Sequence, residues 1–128
     1  MQPIPDSAPL VLIIDDHPQA ATMILEHAGL YVHIVECAES AVACLRVMMF
    51  DVVLLDLCLP GSKPFGDHFA FARKIRELHT GKIIIISGLD RHFLGTVAHA
   101  IDAIAVPKPF LSGDLLRALG LDAPSRSP

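Results

Sequence analysis

Four apolar segments of the sequence each end on side chains that could take part in phosphoryl or metal chemistry. The polar groups that follow them are the acid pair Asp15-Asp16, the acid Asp56, the hydroxyl of Ser87 and the amine of Lys108. Three carboxylates at close range repel one another, and a hard divalent cation such as Mg²⁺ relieves that repulsion. One carboxylate can then attack a phosphoryl group, while the cation, the amine and the hydroxyl neutralise the phosphoryl oxygens.

Asp56 is the candidate nucleophile among these groups. It ends the continuous apolar run 52–55, which is typical of a strand covered on both faces in a parallel sheet, and Pro60-Gly61 then breaks the chain into a loop. Ligands of open α/β sheets bind beyond the carboxyl ends of the strands. Taken alone, Asp56 could equally be a turn residue. Four polar groups at matching strand ends favour the chemical interpretation.

The elements that must position these groups alternate five times between strand and helix. Predicted strands cover residues 10–14, 31–36, 52–55, 82–86 and 103–106, and predicted helices cover 18–27, 39–49, 67–79, 91–100 and 112–119. Because each crossover has the length of a helix, the sheet should be parallel, with helices on both faces. The strand order 2-1-3-4-5 brings all four polar ends to one crevice. The sequence therefore predicts a doubly wound α/β fold.

Length and composition indicate one compact domain. We expect a tail over residues 1–9, a domain over 10–120 and a second tail or linker over 121–128 of the 128-residue chain. The apolar share is 52% and the net charge is −4, so direct nucleic-acid binding is not expected. The apolar runs are too short for a membrane span, and the first residues do not form a signal peptide. We therefore expect a cytoplasmic protein.

The cysteines, histidines and methionines have plain structural interpretations. Cys37, Cys44 and Cys58 are odd in number and lie in apolar segments, so we expect free, buried thiols. The seven histidines are scattered, which favours positions on the surface or at helix ends. Met48 should face inward from the second helix, and the pair Met48-Met49 should fill the core.

The ordered set of motifs resembles the receiver domain of bacterial two-component response regulators, over about residues 9–120. The matching motifs are Asp15-Asp16 after the first strand, Leu-Leu-Asp56-Leu-x-Leu-Pro-Gly after the third, Ser87 after the fourth and Lys108-Pro-Phe after the fifth. Each motif is weak alone, but the set in this order is highly specific. The resemblance implies a flavodoxin-like (βα)5 fold and a signalling module rather than an enzyme.

The resemblance also implies a role for each residue of the set. Asp56 would accept a phosphoryl group from a histidine kinase or phosphotransfer protein. Asp16 and Asp56 would bind Mg²⁺ directly, Asp15 would act through water, and the backbone carbonyl of Cys58 would complete the protein ligands. Ser87 would bond a phosphoryl oxygen, and Lys108 would pair with Asp56 or with the phosphoryl group. The Lys108–Pro109 bond is usually cis in this family.

The sequence departs from the family pattern at two places. Receivers usually carry Tyr or Phe three residues before the lysine, and here that residue is Ala105. A methyl group cannot swing inward as the aromatic ring does, so we expect an atypical switch. The loop after Gly61, residues 62–67, is about two residues longer than usual, which could alter access to Asp56 or be a tolerated surface insertion.

Two other functions remain open at the level of sequence. A phosphorylation-independent module that binds a protein partner would explain Ala105, although such modules usually lose an acid or the lysine. A phosphatase of the haloacid dehalogenase type would need a second acid two residues after the nucleophile. That residue is Cys58, which argues against the phosphatase.

Overall fold

The computed structural model describes residues 8–121, so most of the two predicted tails, residues 1–7 and 122–128, lies outside it. Five strands alternate with five helices. In chain order they are β1 Leu10–Ile14, α1 Gln19–His27, β2 Tyr31–Val35, α2 Ala38–Val47, β3 Val52–Asp56, α3 His68–Leu78, β4 Lys82–Ser87, α4 Arg91–Ala100, β5 Ile104–Pro107 and α5 Ser112–Ala118. All neighbouring strands are parallel, and their order is β2-β1-β3-β4-β5. The predicted fold class and strand order are confirmed.

The apolar runs of the central strands supply two separate cores, one on each face of the sheet. Successive side chains of a strand point to opposite faces. In β3, Val53 and Leu55 therefore join the core under α2, α3 and α4, while Val52 and Leu54 join the core under α1 and α5. Because β1, β3 and β4 are covered on both sides, their runs are continuously apolar rather than alternating. This rigid centre carries Asp56 at its carboxyl edge.

Two predictions about side-chain burial are wrong. The second helix ends at Val47, and Met48 is extended, so the inward helical face does not continue to the methionines. Met48 is partly exposed and Met49 is 92% exposed, where a core position was expected. Cys58 is exposed, because it lies in the loop beyond β3, whereas Cys37 and Cys44 are partly buried. All three thiols are free, as expected.

Within residues 8–121, no helix has the length and apolar character that crossing a membrane requires.

The long loop after β3 is packed against the domain. Its short 3₁₀ helix, Lys63–Phe65, places the ring of Phe65 5.8 Å from that of Phe71, and Ser62 is buried. The side chain of Asp67 then accepts a hydrogen bond from the backbone N–H of Ala70 and caps α3. Gly66 joins the two helices with φ +103° and ψ −159°, a conformation that is essentially limited to glycine. The loop therefore has a defined path between β3 and α3.

Replacing Gly66 by alanine should destabilise the domain by about 1–3 kcal/mol, because the backbone is strained for any L-residue. The added Cβ would also stand 2.6 Å from the Cβ of Ala70. Urea unfolding of the variant measures the loss. Gly95→Ala is the matched control, since nothing lies within 4 Å of its new Cβ in α4, and it should gain about 0.5–1 kcal/mol. A Gly66→Ala protein as stable as the native chain would contradict the assigned loop conformation.

Candidate functional site

A single ammonium group joins two buried acids from different strand ends. The Nζ of Lys108 lies 2.9 Å from Oδ2 of Asp15 and 3.1 Å from Oδ2 of Asp56. Asp15 is 1% exposed and Asp56 is 5% exposed, whereas the side chain of Lys108 is 29% exposed. The parallel sheet produces this contact, because β1 and β3 are neighbours and β5 ends at the same edge. Lys108 was predicted to pair with Asp56, and it binds Asp15 as well.

The second oxygen of each buried acid is held by its own loop. Oδ1 of Asp15 accepts from the backbone N–H of His17, and Oδ1 of Asp56 accepts from the backbone N–H of Cys58, both at 2.9 Å. Each bond spans two residues, which is the local pattern that Asp favours at turns. The turn interpretation of Asp56 and the chemical one are therefore compatible. The loop bond orients one oxygen and leaves the other facing Lys108.

The pKa values of Asp56 and Lys108 depend on their burial and on the contacts of the Lys108 ammonium group. Burial raises the pKa of Asp56 above 3.8, and the charge of Asp15 adds to this effect, whereas Cys58 N–H and Lys108 oppose it. Burial acts to lower the pKa of Lys108, but its bonds to Asp15 and Asp56 outweigh burial and raise that pKa. Lys108 therefore stays protonated beside the two acids. Burial disfavours the ionised form of Asp56, and additional positive charge nearby would favour that form.

Asp16 lies beside this cluster and has a different partner. Its Oδ1 is 3.3 Å from Nδ1 of His17, and the two side chains are 28% and 79% exposed respectively. One ligand atom from each of Asp15, Asp16 and His17 lies within 4.8 Å of the others. Three carboxylates with one ammonium leave an excess of negative charge, and this oxygen-rich set fits a divalent cation. The carbonyl of Cys58 stays a predicted ligand.

Ser87 is the last residue of β4, which lies between β3 and β5 in the sheet. It is fully buried, and its Oγ accepts from the backbone N–H of Leu89 at 3.1 Å. Its backbone carbonyl accepts from the N–H of Lys108 at 2.8 Å, which ties β4 to β5. The thiol of Cys58 lies 3.9 Å from its hydroxyl. The Lys108–Pro109 bond that follows is cis, as the resemblance implied.

Two features of the site were not predicted. The sequence places His17 next to Asp16, but adjacency did not indicate that the imidazole would turn toward the carboxylate. The thiol of Cys58 was expected to be buried, and it instead lies at the exposed rim beside Ser87. Both depend on loop conformations that no periodic pattern specifies.

A surface depression borders Ala105 at the edge strand β5. The residue is partly buried and pairs in register with Ile85. A depression of about 480 Å³ there is bounded by α4, β5 and α5, with Arg91, Ala105, Asp114 and Arg117 in its lining. The position predicted to lack a reporting aromatic ring therefore borders this depression, and it also packs against the core under α2, α3 and α4.

Comparisons with solved structures place this fold among receivers. A receiver domain protein of the CheY-like kind from Methanospirillum hungatei JF-1 superimposes with a TM-score of 0.75 at 24% identity, covering 88% of this chain and 91% of that one. A second, from Methylobacillus flagellatus, gives 0.73 at 25% identity and covers 88% and 97%. A response regulator from Burkholderia pseudomallei, solved with a phosphorylated aspartic acid and a calcium ion, gives 0.72 at 21% identity and covers 87% and 66%.

The search of curated proteins found no match. The family comparison is specific, because the sequence model of the response regulator receiver domain matches residues 11–120. That match spans all five helices, all the strands apart from the first residue of β1, and all the polar strand ends described above. The chain therefore belongs to the response regulator receiver domain family.

Proposed function

We propose that this chain is a phosphoryl-accepting receiver of a two-component system, with Asp56 as the acceptor. The donor is the phosphohistidine of a histidine kinase or of a phosphotransfer protein. Asp16, Asp56 and the backbone carbonyl of Cys58 would hold Mg²⁺ directly and Asp15 would hold it through water, and the bound ion would supply positive charge to the phosphoryl oxygens. The protein acts as a signalling module in the cytoplasm, and its net charge of −4 gives no reason to expect direct nucleic-acid binding.

The observation that most directly supports this proposal is that Asp15 and Asp56 both contact the ammonium group of Lys108. An oxygen of Asp56 attacks phosphorus, the bond from phosphorus to the donor imidazole breaks, and the imidazole leaves with its electron pair. Lys108 lies where it can pair with the transferred group, since it already lies 3.1 Å from Asp56. The Ser87 hydroxyl is the proposed donor to a phosphoryl oxygen. Its bond from Leu89 N–H uses the oxygen lone pair and leaves the hydroxyl proton free to donate.

The comparison with the protein from Burkholderia pseudomallei supports the chemistry by analogy. That protein shares the fold and was solved with a phosphorylated aspartic acid and a bound divalent ion. The excess of carboxylates at the site here would likewise suit a divalent ion.

Incubation with Mg²⁺ and acetyl phosphate or beryllofluoride tests the proposal directly. Intact mass should show one phosphoryl adduct with acetyl phosphate, amide spectra should show beryllofluoride binding, and Asp56→Asn should remove both. Asp51→Asn is the matched control, because Asp51 lies just before the opposite end of β3 and binds the backbone N–H of Leu10. It should form the adduct like the native chain. An unmodified native chain, or an adduct that survives Asp56→Asn, would contradict the proposal.

The proposed switch is atypical because Ala105 cannot move as an aromatic ring moves. Without that ring, beryllofluoride should perturb amide spectra mainly around Asp56, Ser87 and Lys108. A phosphorylation-independent binding module is the alternative, and the open hollow beside Ala105 is the observation that favours it. The complete set of acids and the lysine favours the phosphorylated receiver.

Ala105→Tyr should restore a response at β5 and α4. The ring would have room in the depression of about 480 Å³ beside it. We expect beryllofluoride to shift more amide signals of α4 and β5 in this variant than in the native chain. Val47→Tyr is the control, since Val47 is an exposed residue at the end of α2 and does not line the depression. Equal responses of Ala105→Tyr and the native chain would show that Ala105 does not limit the switch.

A further inference from the structure

We propose that the exposed face of α2 is an interface through which two copies of this chain form an antiparallel, two-fold symmetric dimer. The inference is independent of the proposed function, because α2 carries none of the groups of the phosphoryl site. It rests on two features of the helix. Apolar side chains are exposed where the helix ends, and the charges on its exposed face are placed so that the face complements itself.

Three successive apolar side chains reach solvent where α2 ends. Val47 is 81% exposed, Met48 is 38% exposed and Met49 is 92% exposed. Single apolar residues are common on protein surfaces, whereas contiguous exposed ones mark contact sites. Methionine side chains are flexible and adapt to the shape of a partner. The end of α2 is therefore a surface that a partner would stabilise by covering it.

The exposed residues of α2 lie on two sides of Ala43. At about 100° per residue, Glu39 and Arg46 lie about 40–60° to one side of Ala43, and Ser40 and Val47 lie at similar angles to the other side. The buried residues lie on the opposite side of the helix and are Ala38, Ala41, Val42 and Leu45. Ala43 is therefore at the centre of the exposed face.

A second, antiparallel copy of α2 matches the charged side of this face. Glu39 lies four residues before Ala43 and Arg46 lies three residues after it. A two-fold axis at Ala43 therefore brings Glu39 to within about 1.5 Å, measured along the helix, of Arg46 of the second copy. The axis repeats this contact, which gives two ion pairs. Within residues 8–121, neither Glu39 nor Arg46 has an ion-pair partner of its own.

The centre and the other side of the face permit close contact. Ala43 carries only a methyl group and Ser40 is short, so the two helix axes can approach to about 8 Å. Val47 then lies opposite Ser40 of the second copy. The Sδ atom of Met48 lies 3.8 Å from Sγ of Cys44, which places Met48 beside this same side of α2. One side of the contact is thus ionic and the other is apolar.

A different protein is the competing occupant of this face. Such a partner needs no two-fold relation between Glu39 and Arg46, whereas a dimer of this chain does. The face of one ten-residue helix is a small interface, so we expect a weak, reversible dimer. Sedimentation equilibrium of the full chain at concentrations up to about 1 mM measures its Kd.

We expect a monomer–dimer equilibrium for the native chain and its loss in Ala43→Glu. The Kd should rise by about tenfold or more, because the substitution places two carboxylates on the two-fold axis. Glutamate favours helices, and circular dichroism checks that the variant is folded. Met23→Gln is the control and should keep the Kd, since Met23 is 71% exposed but lies on α1. A native chain that is monomeric at about 1 mM, or an Ala43→Glu chain that dimerises like the native one, would overturn the inference.

Exchanging the two charges tests the antiparallel arrangement. Glu39→Arg should weaken the dimer, because like charges would then face each other across the interface. Adding Arg46→Glu to the same chain should restore the native Kd. Glu26→Arg makes the same change in net charge at an exposed position of α1 and should leave the Kd unaltered. A double variant that dimerises as weakly as Glu39→Arg would show that the two residues do not pair across a two-fold axis.

Discussion

Replacing Lys108 by methionine should lower the free energy of unfolding by about 3 kcal/mol in buffer without divalent cations. Removing one partner of a buried ion pair leaves the other charge uncompensated, and here two acids lose the same partner. Asp15 and Asp56 would then face each other across a poorly solvated space. Methionine keeps much of the length of the side chain, so the loss measures charge rather than packing.

Chemical unfolding with and without Mg²⁺ measures this loss. Lys74→Met is the matched control, because Lys74 is 31% exposed and its ion pair with Glu77, at 3.9 Å, joins it to a side chain that is 70% exposed. Surface pairs of this kind are worth about 0–1 kcal/mol. Mg²⁺ should restore more stability to Lys108→Met than to the native chain, since it replaces the missing positive charge.

The pH dependence of Lys108→Met gives a second measurement. The carboxyl of Asp56, whose pKa burial already raises, can escape the loss of Lys108 by taking up a proton, so the stability deficit should shrink as the pH falls toward 4. A variant as stable as the native chain at pH 7 in the absence of cations would contradict the assigned role of Lys108.

The strands and helices that position this site could be predicted because they depend on local sequence patterns. Five apolar runs of strand length, each followed by a helical segment, are enough to specify a parallel sheet. A polar residue directly after such a run must lie at the carboxyl edge. Asp15, Asp56, Ser87 and Lys108 could therefore be assigned to one edge without knowledge of any contact.

The contacts within the site could not be predicted in the same way. Which of the two acids Lys108 would bind depends on the register of β1, β3 and β5, and the continuously apolar runs of β1 and β3 have no alternation that would specify it. The orientations of His17 and Cys58 depend on loop backbone. Met49 was misplaced for a related reason, since the end of α2 at Val47 changes the direction of every later side chain.

Replacing Asp56 by asparagine should stabilise the domain at pH 7 without divalent cations, while it abolishes the phosphoryl adduct. The pKa of Asp56 is raised above 3.8, chiefly by burial, so the folded state holds the proton more firmly than the unfolded chain. The stability that Asp56 contributes is therefore fully present below pH 3.8 and is lost as the pH rises through its folded pKa. Asparagine keeps the shape of the Asp56 side chain but cannot ionise, so the variant does not lose stability as the pH rises.

The pH profile of unfolding distinguishes this explanation from a change in packing. The advantage of Asp56→Asn over the native chain should be largest near pH 7 and should shrink as the pH falls toward 4. Glu26→Gln, at an exposed position on α1, is the control and should show no such trend. Mg²⁺ should reduce the difference in unfolding free energy between Asp56→Asn and the native chain, because the cation stabilises the native carboxylate more than the amide.

Combining the two substitutions tests whether the three charged groups act as one unit. In the Lys108→Met chain, Asp56 faces Asp15 without the shared ammonium, so Asp56→Asn should gain more there than in the native chain. Groups in contact give coupling energies of about 0.5–3 kcal/mol in double-mutant cycles, whereas independent groups add. Equal gains in both backgrounds would mean that Lys108 does not hold Asp15 and Asp56 together in solution.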